Sequence, residues 1–344
     1  MISTSITNEN KNSNRWNLVL KILIAGLLCY VIYRQIFSRE DAGQLFMNFK
    51  LQLQNGEIAY LLLAFILMPI NWLLESKKWQ LLSATFERQS LIESVKTVLG
   101  GVVCSLFSPA RIGEYGGRVL FVKAENNWKA VTATMVGSLS QLVIVLSVGS
   151  LGLITWLGAY AVSNRYALLG LILLWIFVTL IGMAIYFHVD IFIKILRRVK
   201  FINKFDRVFE GLSVLKEYNQ AHLRKTLFYS FVRYSIYSVQ YGLLLLFFGI
   251  NIGFLSAVSG ISTIFFIQTG VPLPPIWDLF ARGEVAIQVW GSFGANELSV
   301  LAATFTLWVI NLILPSLLGL IFIVKVNIIK SIGYDQKENT ADHT

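Results

Sequence analysis

This sequence has little charge. Asp, Glu, Lys and Arg make up 14% of its 344 residues, against about one quarter in ordinary soluble domains. Mean hydropathy is +0.65. A soluble globular class is thereby excluded. Cysteine is almost absent: Cys29 and Cys104 both lie in apolar segments, so neither a disulfide framework nor a zinc site is expected. His188, His222 and His343 are far apart and form no metal spacing. The glycine-rich tract GGVVCSLFSPARIGEYGG has neither Walker nor dinucleotide spacing. No ATP site, metal or cofactor is therefore expected. A cleavable leader is not expected either, because the first apolar run is too long for one and no small-residue cleavage site follows it. The net charge of +10 fits Lys/Arg-rich cytoplasmic loops better than nucleic-acid binding.

What the chain does have is long apolar runs, 56% of its residues being hydrophobic. Several approach the roughly 20 residues that cross a bilayer as a helix, and they are continuous rather than alternating, which argues against a β-barrel. The reading is an all-α polytopic membrane protein with spans near residues 17–37, 57–75, 128–157, 166–187, 226–250 and 298–324. Residues 1–16 and 326–344 read as polar tails flanking a membrane domain over 17–325. Two further regions, 91–123 and 254–294, hold apolar flanks around a centre broken by Gly, Pro and charge.

Basic residues set the orientation. Residues 190–225 carry Lys194, Arg197, Arg198, Lys200, Lys204, Arg207, Lys216, Arg224 and Lys225, and read as a cytoplasmic amphipathic linker touching the inner leaflet. Lys77, Lys78 and Arg88 mark the loop after the second span as cytoplasmic, as do Lys325, Lys330 and Lys337 for the tail. Counting crossings then leaves regions 91–123 and 254–294 with no net crossing. Each reads as a re-entrant helical hairpin, the first from the cytoplasm and the second from outside, although a pair of full crossings has the same parity. The two share wording, SPARIGE and DLFARGEVA, which raises an inverted repeat, a recurring transporter design.

The charges within these regions are the candidate site. If the chain is helical after Pro109, then Arg111, Glu114 and Arg118 fall at i, i+3 and i+7 on one face. Charge inside a bilayer faces a partner or a wet cavity, and Arg suits phosphate through its planar fork. This group reads as an anchor for an anionic headgroup, or else as an interfacial ion pair. In the second region Asp278 and Arg282 are i, i+4, with Glu284 pointing elsewhere and Pro272, Pro274 and Pro275 before them; a headgroup site and a surface pair are equally open. Ser140, Gln141, Arg233, Tyr234, Gln240 and Asn311 are polar residues in apolar helices, read first as interhelical hydrogen-bond partners, with Arg233 snorkelling to the cytoplasmic end. Glu40 and Asp41 in the first external loop leave open a transferase acting on a polyprenyl-phosphate or lipid, though a solvated turn is the simpler reading.

PARIGEYGGR, with Pro109, Arg111, Gly113, Glu114 and Arg118, resembles a signature of the flippase-like transmembrane domain of lysylphosphatidylglycerol synthases. PLPPIWDLFARGEVAIQVWGSFG and LWVINLILPSLLGL resemble its second signature and last span. The chain departs from that pattern in placing Gly283 between Arg282 and Glu284, and in having Trp308 where an arginine is common. The resemblance implies a bacterial cytoplasmic-membrane protein with both termini inside, which binds or translocates a charged phospholipid. About twenty residues after the last span are too few for a folded aminoacyltransferase domain, so lysyl transfer is not expected. The implied partners are an anionic lipid and no nucleic acid. The implied headgroup residues are Arg111, Glu114, Arg118, Arg282 and Glu284, supported by Pro109, Gly113, Asp278 and Asn311. A membrane transferase and a non-transporting scaffold stay open.

Overall fold

The computed structural model describes residues 16–27, 29–31, 33–34, 42–108, 111–160, 162, 164–188, 212–270, 275–328 and 331. Among these, every regular element is a helix. Four helices are long and apolar enough to cross a membrane: Ile58–Ser83, Ala124–Ala159, Arg165–Phe187 and Glu297–Lys325. Shorter apolar helical stretches cover Trp16–Val31 and Phe254–Gly270. This is a multi-pass helical membrane protein.

In chain order the helices are α1 (Ala42–Asn55), α2 (Ile58–Ser83), α3 (Leu91–Ser105), α4 (Gly113–Val119) and α5 (Asn127–Ile144). A π-turn at Val145–Gly149 joins α5 to α6 (Ser150–Tyr160). Next come α7 (Arg165–Phe187), α8 (Gln220–Phe247), α9 (Phe254–Gly270), α10 (Pro275–Gly291) and α11 (Glu297–Trp308). A second π-turn, Val309–Ile313, joins α11 to α12 (Leu314–Lys325).

The spans expected at 128–157, 166–187 and 298–324 appear with small changes of boundary. The span expected at 57–75 runs on to Ser83. Residues 76–83 are therefore helix rather than loop, and Lys78 is buried rather than solvated. The span expected at 226–250 is α8, 28 residues or about 42 Å long, but it is not among the four apolar ones. Its polarity lies inside: Thr226, Ser230 and Gln240 are buried while Phe228, Phe231 and Val239 are exposed. Hydroxyls and amides facing other helices, with apolar side chains outside, is the arrangement a lipid solvent favours. The end of the expected 17–37 span and the expected linker from 190 to 211 lie outside the described residues. The linker's last residues belong to α8.

One order of elements occurs twice: a long helix, a helical pair, then a helix interrupted by a π-turn. The first set is α2, α3–α4 and α5–α6; the second is α8, α9–α10 and α11–α12. The long members α2 and α8 pack along each other, while the pairs are exchanged, α3 packing on α12 and α9 on α6. Both exchanged contacts are close. A Cβ at Gly319 of α12 would lie 2.3 Å from the Leu99 carbonyl oxygen, and one at Gly152 of α6 would lie 2.4 Å from the Ser262 side chain. Each follows a π-turn, where a helix readily changes direction.

The α3–α4 pair is a closed hairpin. Ser90 starts α3 with a capping box, its hydroxyl accepting from the Glu93 amide while the Glu93 carboxylate accepts from the Ser90 amide. At the base, the Gln89 side-chain amide donates to the Phe121 carbonyl at 3.1 Å, and Glu87 accepts from the Lys123 amide and the Asn126 side chain. Two glycines of the tract let the arms touch. A Cβ on Gly113 would fall 2.0 Å from the Cys104 carbonyl oxygen, and one on Gly117 would fall 2.7 Å from the Gly100 carbonyl oxygen. Gly116 meets nothing within 4 Å. Thus Gly113→Ala should destabilise the protein by about 1–3 kcal/mol through overpacking, and Gly116→Ala should leave it unchanged or slightly more stable. Thermal unfolding of the two variants in detergent checks the contrast; equal behaviour would contradict the packing described.

Candidate functional site

The turn between α3 and α4 delivers Arg111 in an unusual way. Pro109 and Ala110 lie outside the described residues. Arg111 has φ +59°, the one positive φ among described non-glycine residues, a conformation that costs an L-residue about 1–2 kcal/mol. The Gly113 amide donates to the Ser108 hydroxyl at 2.5 Å and fixes the turn. The helix begins only at Gly113, so Arg111 joins the face of Glu114 and Arg118 from the turn rather than from the helix. The three still meet as expected. Arg118 Nη2 donates to Glu114 Oε1, and Arg111 Nη2 lies 3.9 Å from Glu114 Oε2. Arg111 is half-exposed, its side chain at 49%. Arg118 is at 1%.

Arg118 is buried because a second carboxylate waits for it. Glu75 of α2 accepts from Arg118 Nη2 on Oε1 at 2.8 Å and from Arg233 Nη1 of α8 on Oε2 at 2.9 Å. Lys78 Nζ lies 2.8 Å from the same Oε2. One carboxylate, 3% exposed, therefore holds three cations from three helices. It sits about 12 Å short of the end of α2 at Ser83, at 1.5 Å per residue. The cations have further partners. Lys78 Nζ donates to the Gly137 carbonyl at 3.2 Å and reaches the Ser230 hydroxyl, which bonds Ser140 at 2.7 Å. Arg233 Nε donates to Asn71 Oδ1 at 3.0 Å, and Asn71 Nδ2 donates to Asn311 Oδ1 at 3.1 Å. Asn311 stands in the second π-turn. Asn311 is thereby linked to the charge cluster through Asn71 and Arg233.

Aromatic faces complete the surroundings. The Arg118 guanidinium lies 5.1 Å from the Trp79 ring centroid and that of Arg233 5.0 Å from Trp72, within cation–π range. Trp72, Glu75 and Trp79 follow one another at i+3 and i+4 and form one stripe on α2. Lys78 and Arg118, both buried, and partly buried Arg233 stand against Glu75 and Glu114, leaving one positive charge in excess. Burying such a group is tolerable only because nearly every charge is paired and hydrogen-bonded.

Sequence reasoning did not identify Glu75, Lys78 or Arg233 as site residues. Lys78, expected in a loop, lies buried against Glu75 instead, while Arg233 makes the interhelical hydrogen bonds expected of it, to Asn71 and Glu75, rather than snorkelling. The available signal was Asn71, Glu75 and Lys78 at i, i+4 and i+7 on a helix otherwise apolar. In the second hairpin, Arg282 Nη1 donates to Gln268 Oε1 at 2.9 Å across the α9–α10 pair, and Glu284 is exposed. The Asp278 side chain, Glu40 and Asp41 lie outside the described residues. Among the described residues no group of acidic, His or Cys side chains is placed to hold a metal ion.

Removing the shared carboxylate strands three cations. Glu75→Ala should lower stability by roughly 3–5 kcal/mol, the usual cost of breaking a buried pair on one side. Glu75→Ala combined with Lys78→Met should recover part of that loss. Unfolding midpoints in detergent check both, and an unaltered midpoint for Glu75→Ala would contradict the arrangement.

No curated protein matches the chain. The lysylphosphatidylglycerol synthase TM region model matches residues 18–319, taking in α1 to α11, both hairpins and the buried charge cluster. By that match over most of its length, the chain belongs to the lysylphosphatidylglycerol synthase TM region family, a membrane family tied to lipid.

Proposed function

We propose that this protein binds the phosphate of an anionic phospholipid at the tip of the α3–α4 hairpin and carries it between leaflets. The observation that supports this most is Arg111. It is a half-exposed guanidinium in a strained left-handed turn, held at the edge of a buried cluster with excess positive charge. Strain of this kind gathers where a side chain must be aimed. Glu114 keeps Arg111 and Arg118 in register, and Arg118 ties the tip to Glu75. Arg282 and Glu284 serve a second opening formed by α9 and α10.

The route follows from element lengths. Helices α3 and α4, 15 and 7 residues long, reach about 22 and 10 Å, short of the roughly 30 Å hydrocarbon core. Helices α9 and α10, 17 residues each, reach about 25 Å. On this reading both pairs are re-entrant and of opposite orientation, the halves form an inverted repeat, and the termini are cytoplasmic in a bacterial inner membrane. Movement of lipid is downhill or ion-coupled, in keeping with a sequence that carries no ATP-binding motif.

The direct test is Arg111→Gln in proteoliposomes containing a fluorescent phosphatidylglycerol, with leaflet exchange read by quenching. Arg111 is the chosen position because Arg118 also holds the fold. Exchange should fall about tenfold or more, the loss of a charge-assisted phosphate contact; unchanged exchange at equal protein level would sink the headgroup role. Topology has its own test in a variant lacking Cys29 and Cys104. Ile112→Cys should stay unlabelled when an impermeant thiol reagent is applied to intact cells, while Asn251→Cys reacts. Labelling of the tip from outside would convert the hairpin into two full crossings.

A further inference from the structure

Two donors beside Glu75 have no acceptor among the described residues: the Arg118 Nε–H and the Trp72 indole Nε1–H. Both side chains are more than nine-tenths buried. Buried N–H groups are nearly always paired, and leaving one unmet costs about as much as a hydrogen bond is worth. These two flank one carboxylate. Arg118 bonds Glu75 directly, and Trp72, one turn earlier on α2, lies under Arg233, the other guanidinium on Glu75. The cluster around them carries one positive charge more than its carboxylates balance. Unmet donors together with excess positive charge ask for an acceptor that is itself negative. A cation is excluded by Lys78, Arg118 and Arg233.

We propose that a single phosphate-like anionic group binds inside the cluster, accepting from the Trp72 indole and Arg118 Nε and stacked about by the two guanidinium groups. It is a second station, distinct from Arg111 at the hairpin tip. The inference deepens the headgroup reading and rests on it for the route by which a lipid phosphate arrives; a free phosphate ion offers the same chemistry. Trp72 then has a purpose its apolar neighbours do not. Its ring supports Arg233, and its N–H selects an acceptor.

The experiment uses the full chain in nanodiscs of neutral phosphatidylcholine. It is titrated calorimetrically with inorganic phosphate and, separately, with a water-soluble short-chain phosphatidylglycerol. Trp72→Phe keeps a ring under Arg233 and removes only the donor. It should weaken binding about tenfold, as loss of one hydrogen bond to a charged acceptor does, while Trp128→Phe on the exposed surface changes nothing. If both probes bind and both weaken in Trp72→Phe, the station admits free anions. If only the lipid probe binds and it weakens, the station is fed by lipid alone. Either outcome supports the proposal. Should Trp72→Phe bind as the wild type does while Arg111→Gln binds less, the interior station is wrong and the tip reading stands. Binding of neither probe would overturn both. Should Trp72→Phe fail to fold, indole ¹⁵N–¹H spectra of the wild type take its place: the Trp72 resonance must shift on adding whichever probe binds, and a fixed resonance overturns the station.

Discussion

The structure depends on one buried carboxylate. In a lipid solvent, helices gain little from hiding apolar side chains from one another, so close contacts and polar bonds do most of the holding. Glu75 is where those bonds converge. It ties α2 to α8 through Arg233, to α4 through Arg118, and through Lys78 to the Gly137 carbonyl of α5. Glycines supply the close contacts, Gly113 and Gly117 within the hairpin and Gly319 between α12 and α3. The hairpin is thus clamped twice, by backbone proximity along its arms and by charge at its inner face. Its tip, with half-exposed Arg111, is left open to what lies outside the protein.

The two halves share an order of elements but not a chemistry. Where the first half places Glu75, Arg118 and Trp79, the second places an aromatic cluster. Tyr241 stacks on Phe265, meets Trp290 edge-on, and bonds Thr304 and the Trp290 indole through its hydroxyl. Trp290 also lies close over Gly260 of α9, as Phe121 lies over Gly100 of α3. A common packing device therefore supports a charged centre on one side and a neutral, rigid one on the other. On this account the buried charge cluster belongs to the first half, and the second half adds Arg282 and Glu284 at its own helical pair.

The sequence made the membrane class legible, because continuous apolar runs leave few other folds. It also made the Arg111, Glu114 and Arg118 group legible, since helix periodicity alone places Glu114 and Arg118 one turn apart. It under-read α2. Charges at Glu75, Lys77 and Lys78 look like the end of a span, and nothing local says that an arginine on α8, 158 residues away, will donate to that carboxylate. Spacing marks Arg233 and Gln240 on α8 as interhelical hydrogen-bond partners, but it does not say that Glu75 and Asn71 are what Arg233 meets. Pairing between distant helices decides whether an intramembrane charge turns in or out, and spacing along one helix does not record it. The left-handed Arg111 was equally hidden, because a glycine-rich tract suggests that glycine will take the strained position.

The central claim is that the tip of the α3–α4 hairpin meets a lipid phosphate. A cryo-EM reconstruction of the protein in nanodiscs containing phosphatidylglycerol tests it most directly. The account predicts headgroup density against the Arg111 guanidinium, below the level of the surrounding headgroups and continuous with acyl chains beside the hairpin. Density for phosphates confined to the annulus at the two membrane surfaces, with Arg111 in bulk water, would contradict it.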